Sequence, residues 1–337
     1  MLRMNTNRFT CGRAPEVPSA LSVKLNRLMS ELKALGAVAI GFSGGVDSTF
    51  LAAVCAQCMP ERTVLIHLDT PFIPTPERTA CERTLGHLGL AHVILPCNPL
   101  SSGTVSSNPC DRCYHCKRIG FEAISNAARR LGLHTVLEGS NTDDDPATRP
   151  GTRAVRELGA RSPLAELGWT KDEERMLLRA WGFDVWNMPA GACLATRISM
   201  GEPLTESKLL VIRACEDYLH DLGIQQVRVR ISREVARIAT DDAGLRVLSG
   251  YNQAHPVQGT RDVADFRDVA DGPRPAAVAL QPVVAEPQPA AANPQTATVE
   301  AHPATVEVHP AISKALLSRA SGVFTSVDPR ARQYSMT

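Results

Sequence analysis

The sequence has no surplus of charge of either sign: 36 Lys and Arg stand against 35 Asp and Glu, a formal net charge of +1. Such a chain sets up no global field for nucleic acid or for a membrane surface, so partners have to be sought locally. Also missing is any apolar run near the roughly 20 residues that cross a bilayer, and residues 1–17 lack the basic-then-apolar order of a signal peptide. A cytoplasmic protein without a membrane partner is the expectation. Cysteine is not scarce. The ten present are expected, in a reducing compartment, to be buried, metal-bound or catalytic rather than paired in disulfides. With 337 residues, 44% of them hydrophobic, the chain can bury one full core and has the length for two domains.

One short stretch organises the rest. An apolar run, 37–42, leads straight into SGGVDS at 43–48 and then into an apolar helical pattern, the order strand, glycine-rich turn, helix N-terminus. Gly44 and Gly45 let the backbone approach an anion, the free N–H groups of the first helical turn point at it, and Ser43 and Ser48 add hydroxyls. No lysine follows in the spacing that holds a γ-phosphate for transfer, which excludes the kinase and GTPase type of loop. SGGVDS resembles the pyrophosphate loop of the PP-loop ATP pyrophosphatases, which split ATP between its α and β phosphates and adenylate a substrate oxygen. The plain alternative is a Ser/Gly turn that caps a helix.

Around that loop helices alternate with short apolar strands. Leu21, Leu25, Leu28, Met29, Leu32 and Leu35 recur at helical spacing up to Gly36; strands are expected at 63–68, 92–95 and 135–139, with helices at 50–58, 76–88 and 118–131. This order implies an α/β fold, a doubly wound parallel sheet covered on both faces, with ligands at the carboxyl ends of its strands. Asp69 ends one such strand and could face a nucleotide or be an ordinary loop carboxylate. EGSNTDD at 138–144 ends another, and Asn141, Asp143 and Asp144 there suit hydroxyl or metal contacts near ATP, the alternative being a solvated acidic turn. Thr170 and Glu173 form a capping box on a helix ending at Gly182. NPCDRCYHCK at 108–117 spaces Cys110, Cys113 and Cys116 by three. Cys113 and Cys116 supply half a zinc site, and inert thiols are the plainer reading. A third has them join Cys193 around an iron–sulphur cluster.

Cys193 stands among small residues in PAGACLATR at 189–197, four residues before Arg197. A thiol there is reachable and its thiolate electrostatically favoured, as a nucleophile needs, although loop cysteines are commonly inert. In QQVRVRI at 225–231, alternation puts Val227 and Val229 on one strand face and Arg228 and Arg230 on the other. Paired arginines suit a phosphate and equally a solvated face.

Taken in order, SGGVDS, NPCDRCYHCK, EGSNTDD, RPGTRAVRELGARSPLAEL at 149–167 and PAGACLATR resemble the ATP-dependent sacrificial sulphur transferases called LarE, over about residues 20–245. That family builds the nickel-pincer nucleotide cofactor. The resemblance implies that ATP adenylates a carboxylate of a pyridinium biscarboxylate mononucleotide, that a cysteine thiolate attacks the acyl adenylate, and that the thioester breaks at the cysteine Cα–H and Cβ–S. Thiocarboxylate and dehydroalanine result. It further implies that Ser43, Gly44, Gly45, Asp47 and Ser48 hold pyrophosphate and its Mg²⁺, that Cys193 supplies the sulphur, and that Arg197, Arg228 and Arg230 bind the substrate. A homo-oligomer is one further expectation.

The chain departs from the family in reading Ser232-Arg233 where His-Gly is usual, and no closing helix is legible beyond Asp242 and a short apolar segment at 245–248. From about residue 251 to 310 it is Pro-, Ala- and Val-rich, with ATVEAHP at 297–303 followed by ATVEVHP, a composition that builds no core. The expected organisation is a disordered 1–17, an ATP-binding domain over 18–185, a smaller α+β substrate domain over 186–248, and a low-complexity tail over 249–337 with a short helix at 312–319. Two other functions fit the loop. A tRNA-thiolating enzyme would want a basic RNA-binding patch, which is missing; a catalytically inactive nucleotide-binding protein would keep ATP and form no AMP.

Overall fold

The structure, a computed structural model, describes residues 19–144, 150–189, 191–232, 235–254 and 304–305. The expectations for 1–17, for the bulk of the Pro- and Ala-rich stretch, and for a helix at 312–319 lie outside the described residues. The chain divides into two units at Ala192 and Cys193.

The first unit contains α1 (Ser19–Ala34), β1 (Val38–Gly41), α2 (Val46–Cys58), β2 (Thr63–Asp69), α3 (Thr75–Leu88), β3 (Ala91–Pro96), α4 (Gly103–Ser106), α5 (Arg112–Arg130), β4 (Thr135–Leu137), α6 (Pro150–Glu157), α7 (Pro163–Glu166) and α8 (Lys171–Ala180). Its sheet is parallel, in the order β3-β2-β1-β4. β1 is central, and Val38, Ala39 and Ile40 are fully buried, as continuous apolar strands of parallel sheets are. On one face α1, α2 and α8 bring Leu28, Leu32, Phe50, Leu51 and Leu177 together with Trp169. The Phe50 ring lies 4.8 Å from Trp169 and stacks at 5.7 Å on Trp181. On the other face Phe121, Ile124 and Ala128 of α5 pack on Ala39 and Ile66. Each large side chain so buried contributes about 2–3 kcal/mol. This is the doubly wound arrangement the alternation implied, and strand order reverses between β1 and β4, the switch point at which open α/β sheets bind ligands.

α8 starts at the expected capping box: Thr170 Oγ1 accepts from the Glu173 N–H, and Glu173 Oε2 accepts from the Thr170 N–H at 2.9 Å. α5 departs from expectation by beginning at Arg112, six residues earlier than the apolar period suggested. Cys113 and Cys116 therefore lie in its first turns.

The second unit holds α9 (Glu206–Asp221), β5 (Val227–Ser232), β6 (Val235–Thr240), α10 (Asp242–Ala254) and a two-residue β7 (Ala304–Thr305). β5 and β6 are antiparallel, with Val229 opposite Ile238 and Arg230 opposite Arg237; β7 extends the sheet beyond β6. Val227, Val229, Ile231 and Ile238 are buried, together with Leu209, Ile212 and Leu219 of α9. α10 is the closing helix that the sequence did not make legible. Its start is fixed by Asp241, whose Oδ1 accepts from the Gly244 N–H at 2.9 Å, and Leu248 is buried.

Candidate functional site

The loop at 43–48 sits at the carboxyl end of β1 and opens α2, with Gly45 as the residue before the helix. Its shape is held from within. Ser43 Oγ and Ser48 Oγ are 2.9 Å apart, Ser43 Oγ accepts from the Gly45 N–H at 3.3 Å, and Ser48 Oγ lies 3.2 Å from the Gly45 carbonyl. Ser43 is exposed and Ser48 buried, so the second hydroxyl braces the loop. Gly44 is obligatory twice over. Its φ is +79°, and a Cβ there would stand 2.6 Å from Cβ of Cys81 on α3. Gly139, at the end of β4, comes so close that a Cβ would meet the Ser48 nitrogen at 2.8 Å. The segment leaving β4 thus meets the first turn of α2 backbone to backbone, and free N–H groups at a helix start favour an anion in front of them.

Beside the loop is a polar cluster. Asn141, 2% exposed, directs its Nδ2 to both oxygens of Glu174 at 3.1 and 3.2 Å and lies 3.4 Å from Oδ1 of Asp47. Lys171 Nζ is 3.1 Å from the same Asp47 oxygen. Asn141 Oδ1 accepts from the Asp143 N–H, and Asp143 Oδ2 from the Lys171 N–H at 2.7 Å. Glu174 is wholly buried. Burial, then its hydrogen bond and like charge with Asp47, push its carboxyl up to about 9, and Asn141 and Lys171 only partly oppose this. Neither Glu174 nor Lys171 stood out in the sequence. The signal was there, since Glu174, Leu177, Leu178 and Trp181 fall at i, i+3, i+4 and i+7 and form the buried face of α8.

Ser43, Gly44, Gly45, Asp47, Ser48, Asn141 and Asp143 are therefore gathered at one strand-end site. Asp69 ends β2 but is tied to Arg78 of α3, Nη1 to Oδ1 at 2.5 Å. Among the described residues no group of three or more His, Cys, Asp or Glu could hold an ion. Cys110 and Cys113 are exposed and Cys116 half-buried, and no cluster chemistry is derived from them. Mg²⁺ is a different case. It keeps most of its waters and binds through one or two carboxylates plus substrate phosphates, and the partly exposed Asp47 beside the anion-facing loop fits that demand.

Burial raises the thiols of Cys55, Cys58, Cys81, Cys97 and Cys215, with Cys81 and Cys215 pushed up to about 12. Thiols held protonated are poor nucleophiles. Cys193, in the second unit, is half-buried and precedes a 3₁₀ turn, Leu194–Arg197. Its carbonyl accepts from the Thr196 N–H at 2.9 Å and Oγ1 at 2.7 Å, with Arg197 Nη1 at 3.4 Å.

Arg197 closes the same turn. It is 5% exposed and makes a two-pronged pair with Glu216 of α9, Nε to Oε1 at 2.9 Å and Nη2 to Oε2 at 3.2 Å. Its charge is met by Glu216 inside the protein, and its Nη1 approaches the Cys193 carbonyl. Glu216 Oε1 also accepts from the Val229 N–H of β5 at 2.9 Å. Arg228 and Arg230 are exposed on the face of β5 opposite its buried valines.

No family model matches the chain. An uncharacterised protein of Synechocystis is 36% identical over 218 residues, 65% of this chain and 81% of that protein. The pyridinium-3,5-bisthiocarboxylic acid mononucleotide synthase of Lactiplantibacillus plantarum is 30% identical over 235 residues, 69% of this chain and 85% of the synthase. A glutamine-hydrolysing GMP synthase of Aeropyrum pernix is 25% identical over 224 residues, 60% of this chain and 42% of that enzyme.

Proposed function

Because the chain belongs to the LarE family of PP-loop ATP pyrophosphatases, we propose that it transfers sulphur to an adenylated carboxylate of a pyridinium-3,5-biscarboxylic acid mononucleotide, in nickel-pincer cofactor biosynthesis. The observation that carries this reading is the glycine loop braced at the sheet's switch point beside the Asp47, Asn141 and Glu174 cluster, in a chain of this family.

A carboxylate is a poor acyl donor because oxide would have to leave; once it is adenylated, AMP leaves instead. The substrate carboxylate attacks the α-phosphorus of ATP, the α–β bridging bond breaks, and pyrophosphate departs. The first-turn N–H groups of α2 and the hydroxyl of Ser43 donate hydrogen bonds to the departing pyrophosphate oxygens. Mg²⁺, when bound with ATP, supplies neutralisation of the phosphates, and Asp47 is the carboxylate to hold it. Lys171, paired with Asp47 at 3.1 Å, keeps a cation beside the same loop. The Cys193 thiolate then attacks the acyl carbon and expels AMP. Loss of the cysteine Cα proton with cleavage of Cβ–S leaves thiocarboxylate on the product and dehydroalanine in the chain. Arg228 and Arg230 bind the substrate phosphate, and Arg197 acts as a positioning residue for the Cys193 loop.

The test is to incubate the purified protein with ATP, Mg²⁺ and the biscarboxylate mononucleotide, then record AMP and the intact protein mass. Product should stop at one thiocarboxylate per chain, with Cys193 lighter by the elements of H₂S. Cys193→Ala should still form AMP and yield no thiocarboxylate. Thiocarboxylate made by that variant would move the sulphur to another thiol and defeat the assignment; no AMP from the wild type would defeat the function.

A further inference from the structure

The register of β5 against β6 sets Arg230 directly opposite Arg237, with Arg228 two residues along on the same strand. Strand period puts all three on one side of the ribbon. Burial agrees, for Arg228, Arg230 and Arg237 are exposed while Val227, Val229, Ile231 and Ile238 point into the unit's core. α9 packs against β5, and its buried residues belong to the side with the valines. The sequence made Arg228 and Arg230 visible as a pair within one strand; Arg237 joins them only through the pairing.

Like charges directly opposite on neighbouring strands destabilise a sheet. Arg197 elsewhere in this unit has its charge met by Glu216. Among the described residues, by contrast, no carboxylate pairs with Arg230 or Arg237. Such an arrangement is favourable once an anion bridges the strands. A phosphate monoester carries about −1.5 to −2 charges at neutral pH and three acceptor oxygens, and arginine forks match those oxygens two at a time.

We propose that Arg237 completes, with Arg228 and Arg230, a three-arginine cradle for the phosphate monoester of the pyridinium mononucleotide, and so selects the phosphorylated substrate over its nucleoside. This rests on the sulphur-transfer reading for the identity of the substrate. The phosphates of ATP share the same chemistry, and the test separates the two sources.

Binding is measured by titration calorimetry for wild type and Arg237→Gln with three probes: the biscarboxylate mononucleotide, its dephosphorylated nucleoside, and ATP with Mg²⁺. Losing a charge-assisted contact should weaken the mononucleotide about 10- to 100-fold and leave nucleoside and ATP affinities unchanged. Arg237→Lys should recover part of the loss. In single turnover, the mononucleotide concentration that half-saturates AMP formation should rise by the same factor. The empty Arg237→Gln protein should melt no lower than wild type, since the variant removes a repulsion; that excludes misfolding as the cause. Unchanged mononucleotide affinity, or a loss confined to ATP, overturns the cradle. If the wild type binds the mononucleotide through Arg237 yet forms neither AMP nor thiocarboxylate, the cradle stands and the sulphur-transfer reading falls.

Discussion

At the residue scale the site turns on two positions whose importance has opposite origins. Gly44 is needed for what it lacks. Alanine there would have to adopt a φ of +79° and place a methyl group 2.6 Å from Cβ of Cys81. Gly44→Ala should therefore cost about 3 kcal/mol of stability and abolish AMP formation, as melting temperature and a nucleotide assay would report. Glu174 matters for the proton it keeps. Its folded carboxyl is held up to about 9, whereas in the unfolded chain it titrates near the ordinary glutamate value of about 4.3. Between those limits the folded protein binds the extra proton, so this group's contribution to stability is full at the acid end and is lost as pH rises. Glu174→Gln should flatten that slope. Its melting temperature should exceed that of wild type at pH 8, and the gap should close toward pH 5; equal pH profiles would show that Glu174 is ionised in the fold.

At the element scale, Glu216 of α9 is the residue on which several parts depend. It pairs with Arg197 and takes the Val229 N–H. Glu216→Ala would leave a buried guanidinium uncompensated, a loss of about 3–5 kcal/mol, and denaturant unfolding should show it. How legible the elements were follows the same distinction between local and distant causes. The loop and β1 could be read because strand, turn and helix cap are consecutive in the chain. The capping box of α8 could be read for the same reason. The early start of α5 could not, because its first two turns are polar and cysteine-rich and give no apolar period. α10 was missed because only Leu248 among its described side chains is a buried apolar residue, and Gly244 and Gly250 interrupt its pattern. Arg197 was read correctly as a neighbour of Cys193 in sequence, but sequence spacing gives no direction, and its partner is Glu216, 19 residues on. Arg237 required the pairing of β5 with β6.

On the scale of the whole molecule, the balanced charge leaves recognition to small local groups, and in the proposed function these are the glycine turn with Asp47 in the first unit and the arginine face in the second. The described residues contain no helix long and apolar enough to cross a membrane. The fold class was legible because each βα step is short and apolar; the strand order β3-β2-β1-β4 was not, because it depends on pairing between distant segments. The double engagement of Glu216 has a consequence for the chemistry. Through Arg197 it grips the turn that bears the sulphur, and through the Val229 N–H it grips the strand that bears the arginines. In the proposed reaction the sulphur donor and the substrate handle are thereby tied through one carboxylate, so that a motion of the second unit as a body would carry both together.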